Sequence, residues 1–172
     1  ASIRIQKVIQ NLNKHNLGGF EFLYSLPALF GGVVYMNAGR GADGKSIGEF
    51  IYSVHVIDKE TGEFKEILQN ECNFGKRRSV FQNNKSIIIG ATLHCNSGTK
   101  EVFRNAINDR ISHCKKMQDM KYPNFGSCFC EYNGRIMKFE RAISRFDHDR
   151  ARFSDKTINW IVNGGDATYK DV

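Results

Sequence analysis

The sequence of 172 residues has no apolar run that approaches the roughly 20 residues needed to cross a bilayer. Its first residues also lack the basic segment, apolar run and cleavage site of an export signal. We therefore expect a soluble, cytoplasmic protein with no membrane partner. Hydrophobic side chains make up 41% of the chain, which is enough to bury a core in one domain or in two small ones.

The chain also lacks the paired spacings that mark a disulfide framework or a structural zinc site. Its cysteines are odd in number and scattered, and its histidines form no spaced pair, so we expect reduced thiols and no metal. The cysteines are Cys72, Cys95, Cys114, Cys128 and Cys130, and the histidines are His15, His55, His94, His113 and His148.

The formal charge is +7, which suggests an acidic partner such as a nucleic acid, a nucleotide-linked substrate or a flavin pyrophosphate. The densest basic cluster is Lys76-Arg77-Arg78, and no Lys/Arg-rich tail or aromatic RNA-binding signature accompanies it. We therefore expect no nucleic-acid partner, and a basic nucleic-acid-binding protein remains the weakest of three alternatives.

Hydrophobic periodicity predicts two amphipathic helices, one over 2–16 and one over 99–117. Three strands are predicted over 51–58, 64–68 and 86–95, of which the first two form a hairpin around Lys59-Glu60-Thr61-Gly62. This mixture predicts an α+β fold with an antiparallel sheet.

Glycine-rich patterns punctuate the first part of the chain. Gly18-Gly19-Phe20-Glu21-Phe22-Leu23 precedes Pro27, Gly31-Gly32 follows, and then comes Tyr35-Met36-Asn37-Ala38-Gly39. By themselves such patterns usually mark tight turns. The apolar residues between the turns fit either a buried strand or a helix turn.

Further patterns follow in order: Cys72-Asn73-Phe74-Gly75 with Arg77 and Ser79-Val80-Phe81, the run Tyr122 to Phe129, and a final group. That group comprises Ser154, Asn159-Trp160-Ile161-Val162-Asn163, Gly165, Ala167-Thr168 and Asp171-Val172. This colinear series resembles the flavin-dependent UDP-N-acetylenolpyruvoylglucosamine reductases, the MurB family of cell wall biogenesis, over almost the whole chain.

The resemblance implies a flavin-domain lobe from Ala1 to Cys95 with an antiparallel sheet, and a smaller α+β substrate lobe from Asn96 to Val172. It also implies that the family's N-terminal flavin-binding part and its extreme C-terminus, with a third catalytic residue, have no counterpart in the sequence.

The implied activity is that of an NADPH-dependent flavin oxidoreductase: NADPH reduces FAD, and a UDP-sugar enolpyruvate is reduced to UDP-N-acetylmuramate in peptidoglycan synthesis. Charge that develops beside the substrate carboxylate requires a cation, and the adjacent carbon requires a proton donor. By position in the family's motifs, Arg77 is the cation and Ser127 the donor.

The flavin-binding residues implied by the resemblance are Pro27, Gly31, Gly32, Asn37, Ala38 and Gly39. Glycine suits such a wall because it leaves backbone N–H groups uncovered and tolerates positive φ. An alternative is that the chain is a degenerate, non-catalytic relative of this family that binds a nucleotide or a protein partner.

Overall fold

The computed structural model describes residues 1–39, 44–144 and 150–171, so His148 and Val172 lie outside the described residues. The chain divides into two compact units, Ala1–Ile111 and Ser112–Val172. Each unit combines helices with a three-stranded antiparallel sheet, which confirms the predicted α+β class. Over the described ranges, no helix combines the length and the apolar character that crossing a membrane requires.

Helix α3, Lys100–Met117, contains the boundary between the two units, which falls after Ile111. The boundary predicted between the two lobes is earlier, after Cys95. The assignment of a flavin lobe and a substrate lobe stays a prediction, because compactness says nothing of what each unit binds.

The first unit begins with helix α1, Ile5–Lys14, whose Ile5 and Ile9 are fully buried. This helix has no side-chain cap at its start; instead the Ile5 N–H donates to the Ala28 carbonyl at 3.0 Å. A short helix α2, Phe30–Tyr35, follows. The apolar residues that fit either a strand or a helix turn are therefore helical.

The sheet of the first unit has the order β3-β2-β4, with β2 at Ile51–Asp58, β3 at Phe64–Leu68 and β4 at Ser86–Leu93. The predicted hairpin is confirmed by the pairing of β2 with β3. A separate two-stranded ladder joins β1, Leu17–Gly18, to β5, Asn96–Ser97.

One hydrophobic core fills the first unit, because α1, α2 and the inner face of β2 all direct apolar side chains into it. Its buried members are Ile5, Ile9, Phe20, Leu23, Phe30, Val33, Val34, Ile47, Ile51, Val54, Val56, Cys72 and Phe81.

The turn between β2 and β3 is organised by the Asp58 carboxylate. It accepts the Glu60 N–H at 2.9 Å, the Thr61 N–H at 3.3 Å and the Lys65 ammonium at 3.0 Å. Gly62 closes the turn with φ of 72°, a conformation that favours glycine. The Glu60 N–H, followed by Lys65, lowers the pKa of Asp58 to about 2.

Replacing Asp58 with Asn is expected to flatten the acid dependence of stability. A depressed pKa stabilises the fold above the unfolded value of about 3.9, and that stability is lost as the pH falls toward about 2. Urea unfolding followed by circular dichroism should show the native chain losing stability more steeply over this window than Asp58→Asn. Asp109→Asn, on an exposed part of α3, serves as control; equal slopes for all three proteins would contradict the prediction.

The second unit is built around a sheet of order β6-β8-β7, with β6 at Asn124–Ser127, β7 at Ala151–Phe153 and β8 at Trp160–Asn163. Helix α4, Gly134–Ser144, packs against β7. The central strand β8 buries Trp160 and Val162, and Met137 of α4 is also buried.

Candidate functional site

Asn37 joins three segments of the first unit. It follows α2 with φ of 41° and is only 4% exposed. Its side-chain oxygen accepts the Gly48 N–H at 2.9 Å, and its side-chain nitrogen donates to the Gly75 carbonyl at 2.8 Å. Both ends of the amide are therefore used to fasten two distant loops to the end of α2.

The loop that Asn37 holds through Gly75 carries Arg77. Gly75 and Arg78 exchange backbone hydrogen bonds of 2.9 and 3.1 Å, which makes Lys76 and Arg77 the tip of a tight turn. Arg77 has φ of 56°, a left-handed conformation that costs a non-glycine residue about 1 kcal/mol. A strained position of this kind is typical of a functional residue.

The Arg77 guanidinium is exposed, and its Nη2 donates to the Gly39 carbonyl at 2.8 Å. The Gln82 side-chain amide donates to the Arg77 carbonyl at 3.0 Å and braces the turn from the other side. The structure thus brings the predicted cation, Arg77, together with two predicted flavin-wall residues, Asn37 and Gly39.

Gly48 packs closely against the Asn37 side chain and the Phe74 ring. A Cβ added to it would lie 2.8 Å from Asn37 Oδ1 and 2.8 Å from the Phe74 ring. Below the turn, Ser79 is buried and its hydroxyl donates to the Tyr35 carbonyl at 2.6 Å. The motif around Arg77 is therefore anchored to α2 at both its Gly75 and its Ser79 ends.

Cys72 lies at the start of this loop, and its thiol donates to the Leu68 carbonyl at 3.3 Å. Burial, and then the neighbouring Glu71 carboxylate, raises the pKa of the Cys72 thiol to about 11. Because the thiolate is the reactive form of cysteine, this residue is suited to packing and not to nucleophilic chemistry.

Of the other predicted flavin residues, Gly31 and Gly32 lie in the first turn of α2, Pro27 precedes this helix and Ala38 follows it. Gly32 is exposed, and a Cβ on it would meet no atom within 4 Å. The Gly31 N–H is not uncovered as the sequence suggests, because it donates to the Ala1 carbonyl at 2.9 Å. Pro27 is exposed, whereas Ala38 uses its N–H on the Val33 carbonyl and its carbonyl on the Ile47 N–H.

Ser127, the predicted proton donor, belongs to the second unit, where it ends β6 with its residue exposed to solvent. It lies directly opposite Trp160 of β8, and the Trp160 indole N–H donates to Ser127 Oγ at 3.3 Å. Arg77 and Ser127 therefore belong to different units, and each is held by a network of its own.

Asn159 fixes the backbone just after Ser127. Its side-chain oxygen accepts the Phe129 N–H at 3.0 Å, its side-chain nitrogen donates to the Phe129 carbonyl at 2.8 Å, and its own carbonyl accepts the Cys128 N–H at 2.9 Å. The family's motif points to Asn159, but this anchoring role depends on partners 30 residues away in sequence.

Ser154, another residue of the C-terminal pattern, is completely buried. Its hydroxyl donates to the Asp119 carboxylate at 2.8 Å and accepts the N–H groups of Lys156 and Thr157. This network orders the loop that leads into β8, and the Ser154 N–H donates to the Trp160 carbonyl at 2.9 Å.

A cationic and aromatic cluster lies in the same unit. The Lys121 ammonium and the Arg152 guanidinium are 5.0 and 5.1 Å from the centre of the Tyr122 ring. Lys121, followed by Arg152, lowers the pKa of the Tyr122 hydroxyl. Arg152 is half-buried and its Nη1 lies 3.1 Å from the Asp155 carboxylate, so the exposed Lys121 is the cation of this cluster that is open to an anion.

A cavity of about 350 Å³ lies beside strands β6, β7 and β8, and its lining is mostly apolar. It is lined by Pro123, Asn124, Phe125, Ala151, Ile161, Val162, Asn163, Ala167, Thr168 and Tyr169. Within the described residues, no group of three or more His, Cys, Asp or Glu side chains is arranged to hold a metal ion.

Known proteins match almost the whole chain. The UDP-N-acetylenolpyruvoylglucosamine reductase of Thermotoga petrophila is 35% identical over 166 residues, which is 94% of this chain and 57% of the relative. The protein of the same name from Clostridium perfringens is 32% identical over 163 residues, or 92% of this chain and 52% of that protein. The chain belongs to the UDP-N-acetylenolpyruvoylglucosamine reductase family.

A solved member of this family has the same fold. The crystal structure of the MurB reductase from Thermus caldophilus superimposes with a TM-score of 0.75 at 25% identity, covering 98% of this chain and 62% of that one. No model of a protein family matches the sequence. The chain spans about half the length of the curated MurB relatives it matches.

Proposed function

We propose that this chain is part of a cytoplasmic UDP-N-acetylenolpyruvoylglucosamine reductase, an NADPH-dependent flavoprotein of peptidoglycan synthesis. The observation that carries this proposal is the meeting of Arg77 with the Asn37–Gly39 turn. Two motifs that are 38 residues apart in sequence meet there, and they present an exposed guanidinium on a strained but braced turn.

Arg77 is suited to stabilise charge that develops on the substrate. Its guanidinium is always protonated, and its planar donors match a carboxylate or an enolate oxygen. Because the turn is fastened by Asn37 and Gln82, little reorganisation is needed when charge appears. Such preorganised donors are worth about 100-fold or more in rate.

Ser127 is proposed to protonate the carbon next to the one that receives hydride. In this step the Ser127 O–H bond breaks and a C–H bond forms, while the electron pair remains on Oγ until water returns a proton. The exposed position of Ser127 at the end of β6 gives substrate access to its hydroxyl.

FAD, when bound, would accept hydride from NADPH and deliver it to the enolpyruvyl carbon. The residues present fit one edge of a flavin: Gly32 is exposed with free space beside its Cα, and the turn that carries Gly39 stands beside Arg77. Pro27, Gly31, Asn37 and Ala38 would shape this edge by their position and not by donating hydrogen bonds, since the N–H groups of Gly31 and Ala38 and the amide of Asn37 are used internally.

The substrate class we propose is a UDP-sugar that carries an enolpyruvyl group. Lys121, beside Tyr122, gives the second unit an exposed cation suited to a phosphate group, whereas the Arg152 guanidinium is paired with the Asp155 carboxylate. The overall charge of +7 favours approach of such a polyanion.

The proposal is tested by adding FAD to the purified chain and measuring the visible absorbance of bound flavin. NADPH consumption is then followed with and without the enolpyruvyl UDP-sugar. Retained flavin together with substrate-dependent NADPH consumption supports a reductase. A chain that takes up no FAD overturns the proposal and favours a non-catalytic relative, for which the internal use of the Gly31 N–H is the supporting observation.

A further inference from the structure

Trp160 makes a polar contact with the proposed proton donor. Its indole N–H donates to Ser127 Oγ at 3.3 Å, and the two residues are direct partners in the pairing of β6 with β8. Trp160 is 8% exposed, so its ring is held by packing and its N–H has a fixed direction.

The backbone around Ser127 is fixed independently of this contact. Asn159 fastens Phe129 through both ends of its amide, and the Cys128 N–H donates to the Asn159 carbonyl. What these bonds leave free is the rotation of the Ser127 hydroxyl itself.

The indole N–H restricts the rotation of the Ser127 hydroxyl. An indole can only donate, whereas a hydroxyl has one donor and two acceptor lone pairs. Ser127 must therefore accept from Trp160, and its own hydrogen must point away from the indole.

We propose that Trp160 is a positioning residue that orients the Ser127 hydroxyl and assists its release of a proton. This proposal rests on the proposed role of Ser127 in the reductase reaction. When the O–H proton moves to the substrate carbon, the alkoxide left on Oγ keeps the indole hydrogen bond. Hydrogen bonds to an ionised oxygen are roughly twice as strong as neutral ones, so the contact strengthens as the proton leaves.

The contact can be tested without catalysis, because Trp160 is the single tryptophan of the chain. Its indole N–H gives one resonance in a proton–nitrogen NMR spectrum. Ser127→Ala should move that resonance upfield and speed its exchange with water several-fold, because the acceptor is lost. Ser112→Ala, an exposed serine of α3, is the matched control and should leave the resonance in place. An unchanged indole resonance and exchange rate in Ser127→Ala would overturn the proposal.

The catalytic part is tested with Trp160→Phe, which keeps an aromatic ring at this buried position and removes the N–H together with the five-membered ring that carries it. In the flavin-loaded protein, substrate reduction should slow about tenfold or more with a larger solvent isotope effect. KM and NADPH consumption in the absence of substrate should stay unchanged. A rate equal to that of the native chain would overturn the role of Trp160.

The two arms separate this inference from the proposed function. A native chain that reduces no substrate refutes the reductase, and with it the proton-donor role of Ser127, even when the NMR experiment shows the hydrogen bond. An active native chain with an unaltered Trp160→Phe rate refutes the inference alone.

Discussion

Replacing Asn37 with alanine is expected to destabilise the first unit by about 2–5 kcal/mol. The side chain is buried, and its loss leaves the Gly48 N–H without a partner and removes one of the two donors to the Gly75 carbonyl, which keeps the Arg78 N–H. Each buried polar group left unsatisfied costs about 1–3 kcal/mol, and alanine tolerates the φ of 41° less well than asparagine. Amide hydrogen exchange of the β2 backbone measures this loss, since β2 is the central strand of the unit.

Asn73→Ala is the matched control for that experiment. Asn73 has a similar φ of 48°, but it is exposed, so its replacement tests the cost of the backbone conformation alone. We expect Asn73→Ala to cost no more than about 1–2 kcal/mol. If both variants lowered the free energy of β2 opening equally, the Asn37 amide would have no special role.

Replacing Arg77 with alanine is expected to lower substrate reduction by about 100-fold or more while NADPH consumption without substrate continues at the native rate. In the proposed mechanism the guanidinium stabilises developing charge, and the side chain takes no part in the core. Arginine and alanine both carry a Cβ, so the backbone strain at φ of 56° is the same in the native chain and in Arg77→Ala. Single-turnover measurements with the flavin-loaded protein separate the two half-reactions.

Lys76→Ala provides the comparison, because Lys76 is the neighbouring exposed cation on the tip of the same turn. It should reduce substrate at close to the native rate. Loss of both half-reactions in Arg77→Ala would instead indicate damage to the fold, and near-native substrate reduction would remove Arg77 from the proposed mechanism.

The sequence predicts the regular elements of the first unit well, because each depends on a local period. The alternation over β2 and β3 and the isoleucine-rich run of β4 give strands whose predicted bounds match, except that β4 ends at Leu93 and not at Cys95. The spacing of Ile5 and Ile9 likewise gives the apolar face of α1. The short run that became α2 was too brief for its period to decide between strand and helix.

The candidate site could be predicted from the sequence only in part. Arg77 and Ser127 are nominated by resemblance to the MurB family, since a basic turn and a serine after glycine have no distinguishing local signal. The family's motifs also include Asn37, Asn159 and Trp160, but nothing near them in sequence shows what their side chains do. Only the fold shows that Asn37 reaches Gly75, 38 residues away, and that Trp160 reaches Ser127, 33 residues away.

By itself, then, the sequence determined the α+β class, the strands and helices with a clear period, and the family to which the motifs point. The tertiary structure decided which polar groups are already used within the protein, such as the Gly31 N–H and the Asn37 amide, and which remain exposed, such as the Arg77 guanidinium. The physical reason is that periodicity arises from neighbours along the chain, whereas a hydrogen bond between loops depends on backbone positions that only folding brings together.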